Sequence, residues 1–150
     1  MEMGVISEAI KLATAPVFLL TGVGGILNVL GNRLARVIDR ARWVQSMIGA
    51  NSDGTDLGHY YEELRALRMR KLIINIATAM LVLCAVLIAL TVIELFFSVS
   101  VEPGKLHISS WVPITFIGSF ISLVGSCILY LVEILYASNT ISFDPVSRAQ

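Results

Sequence analysis

The sequence predicts an all-α integral membrane protein with three transmembrane helices, the first two extended into a cytoplasmic antiparallel helical hairpin. Three observations carry this expectation. Hydrophobic residues make up 56% of the 150 residues and charged residues only 15%, against about 45–50% and about 25% in ordinary globular chains. Three apolar runs, over residues 12–34, 72–97 and 111–137, are each long enough for a hydrocarbon core that needs about 20 helical residues. The charge is also unevenly laid out. The formal net charge is zero, yet Arg33 at the end of the first run and Arg36, Arg40, Arg42, Arg65, Arg68, Arg70 and Lys71 between it and the second form one basic cluster. Such a cluster between membrane spans is unlike the free basic domain of a nucleic-acid protein.

Residues 1–11 mix Val5, Ile6, Ala9 and Ile10 with Glu2, Glu8 and Lys11. This spacing suits a short amphipathic segment at the membrane interface, and a plain tail entering the membrane is the alternative. Ala13-Thr14-Ala15 has the form of a signal-peptide cleavage site. It precedes the apolar run rather than following it, and no basic segment leads it, so the span is expected to be retained. Pro16 is placed near the start of the first span, where a missing N–H costs least.

The first span carries the most unusual pattern. Read in heptads, positions 14, 21, 28, 35 and 42 hold Thr, Thr, Asn, Ala and Arg, and positions 18, 25, 32 and 39 hold Phe, Gly, Asn and Asp. One face of a long helix is therefore small and polar, while Val23, Ile26, Leu27, Val29 and Leu30 cover the others. Lipid accepts the apolar faces; the polar stripe must meet protein or water. Gly22, Gly24 and Gly25 narrow the helix further and allow close approach of another backbone. Gly22-x-Gly24-Gly25 lacks the preceding strand of a dinucleotide fingerprint.

Beyond the span the helix is expected to continue to about Gly49. Residues 51–56 form a turn rich in Asn, Asp, Ser and Gly, and a second helix then runs without Pro or Gly into span two. Pairing outward from that turn sets Arg40 near Arg68 and Trp43 near Arg65, to within about a turn. Span two, rich in Leu, Ile and Val with Asn75, Thr78 and Glu94 as polar marks, reads as largely lipid-facing. Pro103-Gly104 marks the turn to span three. There Trp111, Tyr130 and Tyr136 suit interfacial positions, and Gly118, Ser122 and Ser126 form a small-residue ridge for helix packing. Residues 138–150 are expected to be a flexible cytoplasmic tail.

The basic hairpin 35–71 sets the orientation by the positive-inside rule. The N-terminus is expected outside and the C-terminus in the cytoplasm, with only Lys11 and Lys105 on the outer side. Cys84 and Cys127 fall mid-span and read as small apolar filler. His59 and His107 have no partner cluster, and no spacing of Cys, His, Asp or Glu suggests a metal.

The segment Pro16…Asn32-Arg33-Leu34-x-Arg36…Asp39-Arg40-Ala41-Arg42, with Glu63-Leu64-x-x-Leu67-x-x-Arg70 before the next apolar run, resembles a bacterial family catalogued as domain of unknown function 2721. The resemblance covers roughly residues 8 to 136 and is most specific over residues 33–42. It implies a three-helix protein of the bacterial inner membrane and supplies no activity.

Function must then come from the residues. Thr21, Gly25, Asn28 and Asn32 are candidate pore-lining residues if copies of span one gather round an axis, since carboxamides replace part of an ion's hydration shell. The alternative is polar glue between helices. Arg33, Arg36, Arg40 and Arg42 form either a basic cytoplasmic mouth or an anchor for anionic lipid headgroups. Asp39, Glu62 and Glu63 are candidate partners for them. Glu133, level with Arg33, suggests an ion pair between spans three and one, or a site for a proton or cation. Glu94 is expected to snorkel outward or to ring an outer mouth.

No nucleophile–base pair, acid pair or metal triad appears at a recognisable spacing, so neither an enzyme nor a cofactor is expected. The expectation is a homo-oligomeric pore or ion channel, with ions, lipids and itself as partners and no nucleic acid. The alternative is a non-conducting structural or regulatory subunit, a scaffold or lipid-binding partner.

Overall fold

A computed structural model describes residues 2–50, 57–101 and 111–140, all helical apart from Leu57. The helices are α1 (Glu2–Ala50), α2 (Gly58–Val101) and α3 (Trp111–Thr140). Stretches of each, Ile10–Ala50, Gly58–Ser98 and Trp111–Ser138, are long and apolar enough to cross a membrane. At about 1.5 Å per residue, the 49 residues of α1 and 44 of α2 far exceed a hydrocarbon core of about 30 Å. Both therefore project well beyond it. The turn at 51–56, the Pro103-Gly104 link, His107 and residues 141–150 lie outside the described residues.

Contacts at both ends show that α1 and α2 run antiparallel. Arg40 reaches Glu63 near the turn, and Leu12 and Pro16 share a cleft with Thr91 and Leu95 at the other end. The seam repeats every seven residues. Val23, Leu30, Val37 and Val44 of α1 pack in one cluster with Leu67, Ile74, Leu81 and Ile88 of α2. A strict seven-residue repeat keeps such a seam facing its partner through a left-handed supercoil.

The same helix carries a second buried row, Ala77, Cys84 and Thr91, and this one receives α3. Ser126 Oγ donates to the Ala77 carbonyl at 2.8 Å and Ser122 Oγ to the Met80 carbonyl at 2.6 Å. A β-carbon at Gly118 would sit 3.6 Å from Leu87 Cδ1; at Gly125 it would sit 2.5 Å from Met80 Cε. Small residues let the two backbones approach, and the hydroxyls then reach carbonyls that already serve α2's own ladder. The predicted ridge of Gly118, Ser122 and Ser126 is the face that docks, and Gly125 and the buried Ser119 extend it.

One expectation is qualified and two are corrected. Span two keeps a broad exposed apolar face, with Leu72, Val82, Val86 and Ile93 among its exposed residues, but it is also the central helix, because α1 and α3 each pack extensively against α2 and hardly against each other. An apolar composition without periodicity hid its two buried rows. Pro16 lies well inside α1, which begins at Glu2 without a break after residue 11. Its side chain is buried in a cleft with Leu95, Val112 and Phe116. Arg40 contacts Glu63 rather than Arg68. The register that sets unlike charges together prevails over one that faces two arginines.

Candidate functional site

The α1 side chains that pack on α2 lie on the seam of Val23, Leu30 and Val37, which leaves the polar stripe on the outside. Thr14, Phe18, Thr21, Gly25, Asn28, Asn32, Ala35, Asp39 and Arg42 are all exposed. Thr21 Oγ1 donates to the Val17 carbonyl at 3.3 Å, and Asn32 Nδ2 lies 3.5 Å from Asn28 Oδ1. The two amides thus partner each other along the helix and leave their remaining donors and acceptors outward. Around Gly22, Gly24 and Gly25 the space is open, with no atom within 4 Å of an added β-carbon. None of these residues is buried against α2 or α3.

A polar knot joins all three helices near the end of the spans closest to the turn. Glu133 of α3 is completely buried, and one guanidinium faces each of its oxygens. Arg70 Nε and Nη2 both donate to Oε1, at 3.1 and 3.0 Å. Arg33 Nη2 stands 3.2 Å from Oε2 without a well-aligned hydrogen bond. A carboxylate at this depth is held by its charge partners, since water is excluded and its desolvation is otherwise uncompensated. Arg33 also sits over the Tyr130 ring, 5.2 Å from its centroid.

The expected Arg33–Glu133 pair is therefore present, with Arg70 as the closer partner. In the sequence Arg70 reads only as one of the positive-inside charges. The signal available was its level: pairing α1 and α2 through Arg40 and Glu63 brings Arg70 opposite Arg33.

A second knot lies at the other end. Thr115 Oγ1 of α3 is 2.9 Å from Glu94 Oε2 and 3.1 Å from Thr91 Oγ1, both on α2. Glu94 is half-buried and ties two helices, which differs from a carboxylate simply reaching outward.

The four arginines of the expected mouth divide between two sides of the hairpin. Arg33, Arg36 and Arg40 line one cleft together with Arg70 and Tyr130. Arg42 lines another with Arg68 and Lys71, pairs with Asp39 at 4.0 Å, and is the only one of the four on the outward stripe. The reason is spacing: positions 33, 36 and 40 share a helical face, and 42 lies off it. Arg40 further stacks on Trp43, 4.3 Å from the ring centroid.

A chain of three membrane-capable helices, with polar side chains set into its apolar faces, is a multi-pass membrane protein. It matches the family described as protein of unknown function DUF2721 over residues 13–143, and belongs to that family. No curated protein and no solved structure matches it.

Proposed function

We propose that the protein assembles with copies of itself through the outward face of α1 and forms an ion-conducting or solute-permeable pore. The observation that supports this reading is the exposure of Thr21, Gly25, Asn28 and Asn32 on the far side of α1 from its own bundle. Carboxamides facing hydrocarbon are costly, and a closed ring of α1 helices turns them toward a hydrated axis instead. Arg42, on the same face beyond the span, is the basic group at the mouth. The positive-inside rule puts the hairpin, and with it that mouth, in the cytoplasm of a bacterial cell, with the N-terminus outside.

The test is conductance of the purified protein in planar bilayers, with Asn28→Leu and Asn32→Leu beside the wild type. Discrete currents that shrink or change selectivity in the variants are expected. A silent bilayer across voltage, tension and pH, from a protein that remains oligomeric in detergent, rejects the pore. One observation favours that second reading, a non-conducting scaffold. The open space around Gly22, Gly24 and Gly25 also suits two α1 helices in direct contact, with the amides bonded between them and no lumen.

A further inference from the structure

We infer that the cleft lined by Arg33, Arg36, Arg40 and Arg70 is a binding site for the phosphate of an anionic phospholipid, with an acyl chain lying against Val29 and Tyr130. The cleft, of about 460 Å³, is open along one side of the molecule. Its charge is unbalanced. Four guanidiniums line it, and the carboxylates that pair with them are Glu133 and Glu63, so four positive charges against two negative leave +2. Glu133 is completely buried behind Arg33 and Arg70, whose side chains keep 23% exposure. It neutralises them from the rear and leaves their outer N–H groups toward the cleft. Among the described residues no carboxylate lies within 4 Å of Arg36, which is exposed. Guanidinium groups converging in this way suit the oxygens of a phosphate, which they bind through paired N–H donors.

Position decides for a lipid over a free anion. From Val29 to Arg40 the cleft wall climbs eleven residues of α1, roughly 16 Å along the axis. Val29 is exposed on the apolar span, whereas Arg40 lies beyond its end. A molecule filling the cleft must therefore be apolar at one end and anionic at the other. The ion pair of Arg40 with Glu63 at 2.7 Å and its stacking on Trp43 fix the upper guanidinium against the hairpin. Arg42, Arg68 and Lys71, on the opposite side, are equally basic and serve as the internal control. None of this depends on a pore, and a silent bilayer leaves it standing.

The experiment is native mass spectrometry of the full chain in detergent, titrated with dioleoyl phosphatidylglycerol, with dioleoyl phosphatidylcholine, and with inorganic phosphate as competitor. Each basic residue near an anionic surface is worth roughly a fivefold change in affinity. The expected result is retention of phosphatidylglycerol at least about tenfold above phosphatidylcholine. Removing two charges with Arg36→Gln and Arg40→Gln is expected to weaken it roughly twenty-five-fold. The pair Arg42→Gln and Arg68→Gln is expected to stay within about twofold of wild type, since those residues line the other cleft. Arg36→Gln alone breaks no ion pair and is expected to fold and to lose roughly fivefold, so the site can be judged even if the double variant is unstable. Equal retention of the two lipids, or unchanged binding in Arg36→Gln, would overturn the proposal. Displacement of the lipid by millimolar inorganic phosphate would convert the site into one for a free anion and overturn the lipid assignment.

Discussion

Glu133 is a residue whose surroundings can be interrogated one atom at a time. Arg70 gives it two hydrogen bonds and Arg33 a single ion contact, so the two arginines are not equivalent. Removing one partner of a buried pair leaves a charge without compensation, which costs about 3–5 kcal/mol in proteins at large. Arg70→Ala is expected to approach that range, and Arg33→Ala to cost clearly less because Arg70 still holds the carboxylate. Thermal unfolding in detergent measures the difference, and equal losses would show that the two contacts carry similar weight. Glu133→Arg is expected to be rescued by Arg33→Glu only in part, because Arg70 then faces the new positive charge. Full rescue would show that Arg70 contributes little.

At the scale of elements, α3 is held to α2 by a narrow ridge and two cross-helix hydroxyls. Hydrogen bonds between transmembrane helices contribute about 0.6 kcal/mol on average and up to about 1.7. Ser122→Ala and Ser126→Ala are each expected to cost that little. Gly125 is a different case, because an added β-carbon meets the end of the flexible Met80 side chain. Gly125→Ala is expected to be tolerated as Met80 turns aside, whereas Gly125→Leu separates the backbones. Its cost is expected at about 1–3 kcal/mol, the range for overpacking, with both serine bonds weakened together. Unfolding of Gly125→Leu combined with Ser126→Ala gives the check: a combined loss smaller than the sum shows that the serine bond was already broken. The ridge itself is legible in the sequence, because small residues every four positions have few other uses in a membrane helix. The central place of α2 is not, since its exposed faces are as apolar as its two neighbouring buried rows, so composition does not mark them off.

For the whole molecule, the exposed far face of α1 is the surface on which assembly is tested. If copies meet there, cysteines at Asn28 or Gly25 in a chain with Cys84 and Cys127 replaced by Ser or Ala are expected to cross-link between subunits under mild oxidation. A cysteine at Val23, which is buried against α2, is expected to remain a monomer on a gel. Cross-links at Val23 in place of Asn28 would mean that the bundle opens or that the assembly uses another face. Sidedness belongs to this scale as well. Cysteines at Arg36 and Arg65 are expected to be labelled only after an impermeant reagent gains access to the cytoplasm; labelling of intact cells would reverse the orientation.

The sequence alone determined that this is a membrane protein, that it has three helices long and apolar enough to cross a bilayer, and which faces are too polar or too small for lipid. Those properties are sums over local composition and helical period, which no tertiary contact can alter. The direction of each face was decided only by packing. Asn28 and Asn32 could have closed against α2; they turn outward because Val23, Leu30 and Val37 make the better seam. Arg70 reads as one more basic residue at a span's end until the register of the hairpin sets it beside Glu133. Helical spacing separates Arg33, Arg36 and Arg40 from Arg42, but only packing sets Arg70 beside the first three and Arg68 and Lys71 beside Arg42. Charge partners depend on distances across helices, and those distances exist only once the helices are packed.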